Sequence, residues 1–349
     1  MKIAAVPENF VEWLLKTLGL VPTPIIDTFH SVIVARAILV ATRLGVFDAL
    51  GESARSVDEI AEALAVDAHA LEKLLNVLVA CGYLRIQGGR YALTRLTRKW
   101  LLRDVPGSLR DNLLLRFLEW EAIDTAEDFV RTGQPLDVHD QISGEEWDIY
   151  QRGMCCLARL SAGEVVRRVK IPATASAMLD VGGGHGTYSV AFCERLPQLS
   201  ATILDLPEAV ASAAPILAEA NMGNRVKHWA GNALSEDLGR EKWDLIFISH
   251  LIHHFDAATN ESLIRRAARA LRMGGVLVIL DVLRQETPSA SSQTGALLDL
   301  YFAITSKSGT FSLREITGWQ ERSGLQPGKA IHLRSAPGIT VLTAGKPTD

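Results

Sequence analysis

Three glycines, each separated from the next by one residue, follow an apolar run and an acidic residue near the middle of the chain. They are Gly182, Gly184 and Gly186, and the acidic residue is Asp180. Glycine lets the chain turn sharply and lets its backbone approach a ligand, which a side chain would prevent. The turn contains no Lys-Ser or Lys-Thr pair, the phosphate and metal ligands of a P-loop. The spacing therefore favours a nucleotide-type cofactor without phosphate groups, such as S-adenosylmethionine.

A second acidic residue follows the next predicted strand. This strand, residues 201–204, ends at Asp205, from which a carboxylate can accept hydrogen bonds from both hydroxyls of a ribose. Pro207 is placed to open the following helix. An ordinary helix-capping role is the alternative for Asp205.

Three histidines follow the predicted strand that begins at residue 244, in the segment Ser-His-Leu-Ile-His-His-Phe-Asp, 249–256. Catalytic groups of open α/β sheets gather at the carboxyl ends of the strands. A histidine there can remove the proton of a hydroxyl, because its ordinary pKa near 6.5 lets it act as a base at neutral pH. A capping histidine and a metal site of His250, His253 and His254 are the alternatives. No second group of ligands accompanies them, so no metal is predicted.

The elements that must position these residues alternate between strand and helix from residue 177 onward. We predict strands at 177–181, 201–204, 226–229, 244–249 and 276–282, then a helix at 313–322 and strands near 329–333 and 339–344. A long helix over 145–169 precedes them. This alternation predicts a doubly wound, Rossmann-like α/β domain with a parallel sheet.

The first hundred residues have a different pattern. Apolar residues at helical spacing fill 9–50, Ser56 and Glu59 form a capping box, and Asp67 caps a second helix. A predicted hairpin, 83–86 with 90–93, follows, so the region reads as a winged helix. Its second helix carries few positive charges, which argues against the DNA-binding alternative and favours packing on a partner.

Five ordered motifs together resemble the class I S-adenosylmethionine-dependent methyltransferases, in particular the small-molecule O-methyltransferases with an N-terminal dimerisation domain. The motifs are LDVGGGHGTYS (179–189), LDLPEAV (204–210), the pair Gly231-Asn232, SHLIHHFD (249–256) and ALRMGGVLVILDV (270–282). The resemblance covers nearly the whole chain. It implies a homodimer that binds S-adenosylmethionine and methylates a small molecule.

The resemblance also implies roles for individual residues. His253 falls on the catalytic base, His254 on the acid that follows it, and Asp281 on a glutamate that orients the base. A second flanking glutamate is replaced by Thr310. Residues expected to bind the cofactor are Asp180, Gly182, Gly184, Gly186, Asp205, Leu206, Asn232, Ala233 and Ser249. Residues expected to line the acceptor pocket are Tyr150, Met154 and Tyr301, with core packing as the alternative for each.

We therefore predict a winged-helix dimerisation domain at 1–105, a helical connector at 106–170 and a cofactor-binding catalytic domain at 171–349. The predicted activity is O-methylation of a hydroxylated aromatic or polyketide-like molecule. The alternatives are carbon or nitrogen methylation, or a non-methylating cyclase or hydroxylase on the same fold. The sequence does not identify the acceptor.

Charge and composition limit the partners and the cellular compartment that the chain can have. The formal net charge is −4, without a basic run, so no nucleic-acid partner is predicted. The four cysteines have no CxxC spacing and are expected to be reduced core thiols of a cytoplasmic protein. The apolar stretch 32–50 is interrupted by Arg36 and Arg43, so we expect no membrane span.

Overall fold

The computed structural model describes residues 4–136, 138–287 and 292–348. The chain divides into two compact units, Met1–Phe117 and Leu118–Asp349. The boundaries predicted at residues 105 and 170 stay predictions.

The first unit is mainly helical. Its elements are α1 (Phe10–Thr17), α2 (Thr23–Ile25), α3 (Ser31–Leu44), α4 (Val46–Leu50), α5 (Val57–Leu64), α6 (Ala68–Ala80), β1 (Leu84–Gln87), β2 (Arg90–Leu93), α7 (Arg95–Trp100) and the start of α8 (Arg110–Ile123). The Ser56–Glu59 capping box opens α5, and the Asp67 side chain accepts from the Ala70 N–H at the start of α6. The predicted hairpin is present as β1 and β2, which pair antiparallel.

The N-terminal helices leave large apolar side chains uncovered. Phe10, Trp13 and Phe29 are 72%, 52% and 62% exposed. By length and composition alone, the helical segment Thr23–Leu44 is long and apolar enough to cross a membrane, with 22% of the apolar window buried. The prediction of no membrane span rested on residues 32–50, whereas this helical segment begins at Thr23 and includes further apolar residues. An exposed apolar surface of this kind is typical of an interaction site.

The second unit contains one large sheet with helices on both faces. Its helices are the end of α8, α9 (Ala126–Thr132), α10 (Gly144–Arg168), α11 (Thr187–Arg195), α12 (Pro207–Glu219), α13 (Ala257–Ala270), α14 (Gln293–Thr305) and α15 (Leu313–Arg322). Its strands are β3 (Ala177–Val181), β4 (Ser200–Asp205), β5 (Val226–Ala230), β6 (Trp243–Ser249), β7 (Leu271–Arg284), β8 (Phe311–Ser312), β9 (Gln326–Pro327), β10 (Ile331–His332) and β11 (Ile339–Gly345). The predicted α/β fold is confirmed.

The strand order β10-β11-β7-β6-β3-β4-β5 places β3 and β6 side by side in the middle of the sheet. The chain order reverses there, which is the point where open α/β sheets bind ligands. The strands from β7 to β5 pair parallel, but β11 runs antiparallel to β7. The predicted parallel sheet is therefore present from β7 to β5, and β11, whose direction was not predicted, adds an antiparallel strand at its edge.

The central strands are buried on both faces. Along β6, Ile246 and Ile248 pack into one hydrophobic cluster, whereas Leu245 and Phe247 pack into another. A strand covered on both faces reads as a continuous apolar run, as this one does. The carboxyl ends of β3 and β6 are thereby held rigidly at one edge of the sheet.

The cysteines are free in the structure. Cys155, Cys156 and Cys193 are buried, as expected. Cys81 is exposed, and its prediction as a core thiol was wrong, because it follows the last residue of α6 rather than lying on the apolar face of that helix.

Candidate active site

The glycine turn leaves the carboxyl end of β3 with backbone angles that only glycine adopts freely. Gly182, Gly184 and Gly186 have φ angles of 68°, 44° and 72°. A Cβ added to Gly184 would lie 2.5 Å from Oε1 of Gln151, a residue of α10. A Cβ added to Gly186 would lie 2.5 Å from the side chain of Ile203. The positive φ angles therefore favour glycine at all three positions, and a Cβ at Gly184 or Gly186 would also force the end of a neighbouring side chain to shift.

The peptide groups on both sides of Gly184 are held by residues of β4 and β5. Gly184 N–H donates to Oδ2 of Asp205 at 2.8 Å, and Leu206 N–H donates to Oδ1 of the same carboxylate at 2.8 Å. The Gly184 carbonyl lies 2.8 Å from Nε2 of His228 on β5. Burial raises the pKa of Asp205, and its two backbone donors partly offset this effect. Each carboxylate oxygen keeps a lone pair, so Asp205 can still accept from ribose hydroxyls.

Asp180 lies beneath the turn and is 1% exposed. Its Oδ2 accepts from the Ser189 hydroxyl at 2.7 Å. Its Oδ1 is buried without a hydrogen-bond partner among the described residues, and burial raises the pKa of this carboxyl to about 7. A Cβ on Gly183 would lie 2.4 Å from the Asp180 carboxyl carbon, so this group directly supports the turn. The glycine cradle, the lone pairs left on the Asp205 carboxylate and the unpartnered oxygen of Asp180 fit S-adenosylmethionine.

The remaining predicted cofactor residues differ in their surroundings. Asn232 is exposed, and its Oδ1 accepts from Leu234 N–H at 2.8 Å, which closes a local turn. Its amide N–H₂ group and the second lone pair of Oδ1 remain for an adenine ring. Ala233 and Ser249 are each 9% exposed, with Ser249 at the end of β6.

A histidine and an aspartate meet at the ends of β6 and β7. His253 lies in a short 3-10 turn after β6, is 3% exposed, and has its Nδ1 2.8 Å from Oδ1 of Asp281. Asp281 is 1% exposed, and the Val282 N–H donates to the same oxygen at 2.8 Å. Because the carboxylate only accepts, Nδ1 of His253 carries the proton and Nε2 carries the lone pair. The geometry therefore presents a base.

The protonation of Asp281 follows from its neighbours. Burial alone would raise its pKa, but His253 and His250 lower the pKa below its ordinary value. The Nδ1 atom of His250 lies 4.0 Å from the carboxylate oxygen that His253 contacts. His250 has a φ angle of 49°, an uncommon conformation for a residue with a Cβ. The carboxylate is thus ionised at neutral pH and faces two imidazoles.

Aromatic rings surround the base. Phe302 of α14 stacks on His253 with ring centroids 3.7 Å apart and an angle of 21° between the ring planes. His254 lies 4.2 Å from His253 and 4.4 Å from His139, both between ring centroids. His139 in turn contacts the rings of Trp147 and Tyr150. The rings near the base are flat and aromatic, which suits an aromatic molecule.

The structure brings together only some of the residues predicted to contact the acceptor. Tyr150 belongs to the aromatic cluster, and Met154 lies half-buried one turn further along α10. Tyr301 contacts Phe302, with ring centroids 5.2 Å apart. The ring that stacks on His253 belongs to Phe302 and not to Tyr301. Thr310 donates through its N–H to Asp299 at 2.9 Å.

Sequence reasoning missed His139, Ser306, Gln151 and His228. His139 and Ser306 carry no local signal, because only the tertiary fold brings them to His254. Within the described ranges, no group of three or more His, Cys, Asp and Glu side chains is arranged to hold a metal ion.

Comparison with known proteins gives the family of the chain. The profile of the O-methyltransferase domain matches residues 132–324, and that of the O-methyltransferase dimerisation domain matches residues 26–103. One relative is the 3-hydroxy-5-methyl-1-naphthoate 3-O-methyltransferase of Streptomyces sahachiroi, 25% identical over 93% of this chain and 95% of that protein. Another is the mitomycin biosynthesis 6-O-methyltransferase of Streptomyces lavendulae, 26% identical over 87% of this chain and 88% of that protein.

A solved structure shows the same fold over nearly the full length. Human N-acetylserotonin methyltransferase in complex with S-adenosylmethionine is similar with a TM-score of 0.82 and 19% identity, covering 99% of this chain and 100% of that one. The domain profile alone spans more than half of the chain. The chain therefore belongs to the O-methyltransferase family and is an S-adenosylmethionine-dependent methyltransferase with an N-terminal dimerisation domain.

Proposed function

We propose that this enzyme methylates a hydroxyl oxygen of an aromatic or polyketide-like small molecule, with His253 as the general base. The observation that carries the proposal is the buried hydrogen bond of 2.8 Å between Nδ1 of His253 and Asp281. It leaves the lone pair of Nε2, on the other side of the imidazole ring, to accept the proton of an acceptor hydroxyl.

The cofactor supplies a methyl group on a positively charged sulfur, so the protein's main tasks are positioning and proton removal. Asp205, which the Gly184 N–H holds in place, would bind the ribose end, and Asp180 supports the turn from below. His253 takes the hydroxyl proton, and the ionised Asp281 stabilises the imidazolium that forms. Phe302 fixes the imidazole plane by stacking on it.

The acceptor class follows from the cluster around the base. His139, Trp147, Tyr150, His254 and Phe302 present ring faces and edges, which favour a flat, largely apolar acceptor. The named activities of the two Streptomyces relatives, one on a naphthoate and one in mitomycin biosynthesis, support the same class.

We further infer a cytoplasmic homodimer. The exposed apolar side chains of α1 to α3 and the match to a dimerisation domain support self-association. The division that we propose is a dimerisation domain at 1–105, a helical connector at 106–170 and a catalytic domain at 171–349. The absence of disulfides among the described cysteines is in keeping with a reducing compartment.

The test is incubation with S-adenosylmethionine carrying a labelled methyl group and a panel of phenols, amines and carbon acids. Mass spectrometry of the products identifies the methylated atom. We expect methyl ethers of phenols. Methylation at nitrogen or carbon alone, or no transfer to any acceptor, would refute the proposal.

A further inference from the structure

His254 is held rigidly beside the base. Its Nδ1 lies 2.8 Å from the hydroxyl oxygen of Ser306, at the end of α14. Its ring lies 4.2 Å from that of His253 and meets the His139 ring at 84°, in an edge-to-face contact. Its Nε2 makes no hydrogen bond with any described residue. These contacts set the orientation of the ring and leave one nitrogen for a ligand.

The position of the proton on His254 follows from Ser306. This serine is 1% exposed, and among the described residues its hydroxyl bonds only with His254. A buried hydroxyl that fails to donate its proton loses a hydrogen bond, so the Ser306 O–H donates to Nδ1. Burial, and then His253, His139 and His250, hold the pKa of His254 well below its usual range, so the ring is neutral. Since Nδ1 accepts, the single ring proton lies on Nε2.

The two adjacent histidines therefore have opposite roles at Nε2. On His253 this atom carries a lone pair, because Nδ1 donates to Asp281. On His254 it carries a proton, because Nδ1 accepts from Ser306. The rings of the two histidines lie 4.2 Å apart between centroids, so the base and the donor are close together. Such a pair matches an aromatic hydroxyl with a carbonyl or carboxylate group on the neighbouring ring carbon, in which the two oxygens lie about 2.7 Å apart, the length of an O–H···O hydrogen bond.

We propose that His254 is a specificity-determining residue whose Nε2–H binds a carbonyl or carboxylate oxygen adjacent to the hydroxyl that is methylated. This inference rests on the proposed function and names its substrate class: aromatic acceptors with an ortho-hydroxy carbonyl or carboxylate group. The hydroxyl proton passes to Nε2 of His253, and the oxygen forms a bond to the methyl carbon. The carbon–sulfur bond breaks as this happens, and its electron pair stays on sulfur.

Three matched acceptors test the proposal. 3-Hydroxy-2-naphthoate has its carboxylate next to the hydroxyl, 6-hydroxy-2-naphthoate has it on the far ring, and 2-naphthol has none. We expect kcat/KM of the full-length enzyme to be about 10–100-fold higher for the first than for the second, because one hydrogen bond to a charged group is gained. The remote isomer controls for charge, and 2-naphthol controls for the ring system.

Two variants assign the preference to His254. His254→Leu removes the donor, so the preference for the ortho isomer should fall to within about threefold. His254→Gln keeps an N–H donor at similar reach and should retain most of the preference. Affinities for the three acceptors, measured by calorimetry with S-adenosylhomocysteine present, give a second readout independent of turnover. Thermal melting and cofactor affinity confirm that each variant is folded.

The outcomes separate this inference from the proposed function. Equal kcat/KM for the two naphthoates in the unmodified enzyme overturns the inference but leaves O-methylation intact. A folded His254→Leu variant that keeps the preference also overturns it. If His254→Leu does not fold, the other two proteins test the inference. It then requires that the unmodified enzyme prefers the ortho isomer and that His254→Gln retains most of this preference. If the enzyme neither binds nor methylates any of the three acceptors, both the inference and the proposed function are overturned.

Discussion

Replacing Asp281 by asparagine tests how the base is supported. The change preserves the shape of a side chain that is 1% exposed but removes the charge that His253 contacts at 2.8 Å. The Val282 N–H donates to the same oxygen, so the amide oxygen of asparagine faces Nδ1 and the imidazole keeps its proton there. What is lost is the negative charge that stabilises the imidazolium.

The expected loss follows from the hydrogen bond. A hydrogen bond to a charged group is worth about 1.5–3 kcal/mol, and each 1.4 kcal/mol corresponds to about a tenfold change in rate. The methyl-transfer step should therefore slow by about 10–100-fold. This loss lies below the roughly 10²–10⁴-fold expected when the base itself is removed. His254→Ala should cost less than either change if His254 selects the acceptor and does not remove its proton.

Single-turnover kinetics with saturating acceptor measure the step directly, and calorimetry measures cofactor affinity in parallel. Asp237→Asn is the matched control, because it makes the same chemical change on a side chain that is 77% exposed. It should leave the rate unchanged. An Asp281→Asn variant that reacts at the unmodified rate would show that the carboxylate does not support the base. A rate loss that parallels a loss of cofactor affinity would show that the change disturbs the cofactor site instead.

Three further predictions concern the cofactor, the assembly and the fold. Asp205→Ala should weaken S-adenosylmethionine binding by about 1–3 kcal/mol through lost hydrogen bonds to ribose, and an unchanged calorimetric affinity would remove that role. Light scattering should give the mass of a homodimer burying well over ~2,000 Å² in total, and a stable monomer at micromolar concentration would contradict it. Hydrogen bonds from Ser335, then from Arg334 and Arg168, hold the pKa of Glu164 at about 2. Its contribution to stability is complete above its unfolded-state pKa and is lost as the pH falls toward 2, so Glu164→Gln should lower the free energy of unfolding at pH 7 but not at pH 2. A difference that persists at pH 2 in denaturant titrations would contradict this assignment.

The strands and their chemistry-bearing ends were predictable because their signals are local. The apolar run ending in Asp180 and the glycines predicted β3 at 177–181, as observed. The helix at 313–322 was also predicted with its observed bounds, since Ser312 and Glu315 form a capping box at its start. Asp281 could be placed beside the base from the resemblance, because β6 and β7 are neighbouring parallel strands.

The antiparallel edge and the cluster around the base were not predictable in the same way. The direction of β11 depends on the path of the connection, which its apolar pattern does not encode. His139 and Ser306 reach His254 from sequence positions 115 residues before and 52 residues after it, through packing alone. Thus sequence patterns locate the groups that do the chemistry, whereas the tertiary fold decides which side chains surround them.

The central claim is that His253 removes a hydroxyl proton during methyl transfer from bound S-adenosylmethionine. The direct test is a single-turnover measurement of label transfer to a phenolic acceptor by the unmodified enzyme and by His253→Ala, with cofactor affinity measured for both. We predict a methyl ether as the product, a rate about 10²–10⁴-fold lower in the variant, and cofactor affinities within about twofold of each other. Equal transfer rates in the two proteins, or no cofactor binding by the unmodified enzyme, would contradict the claim.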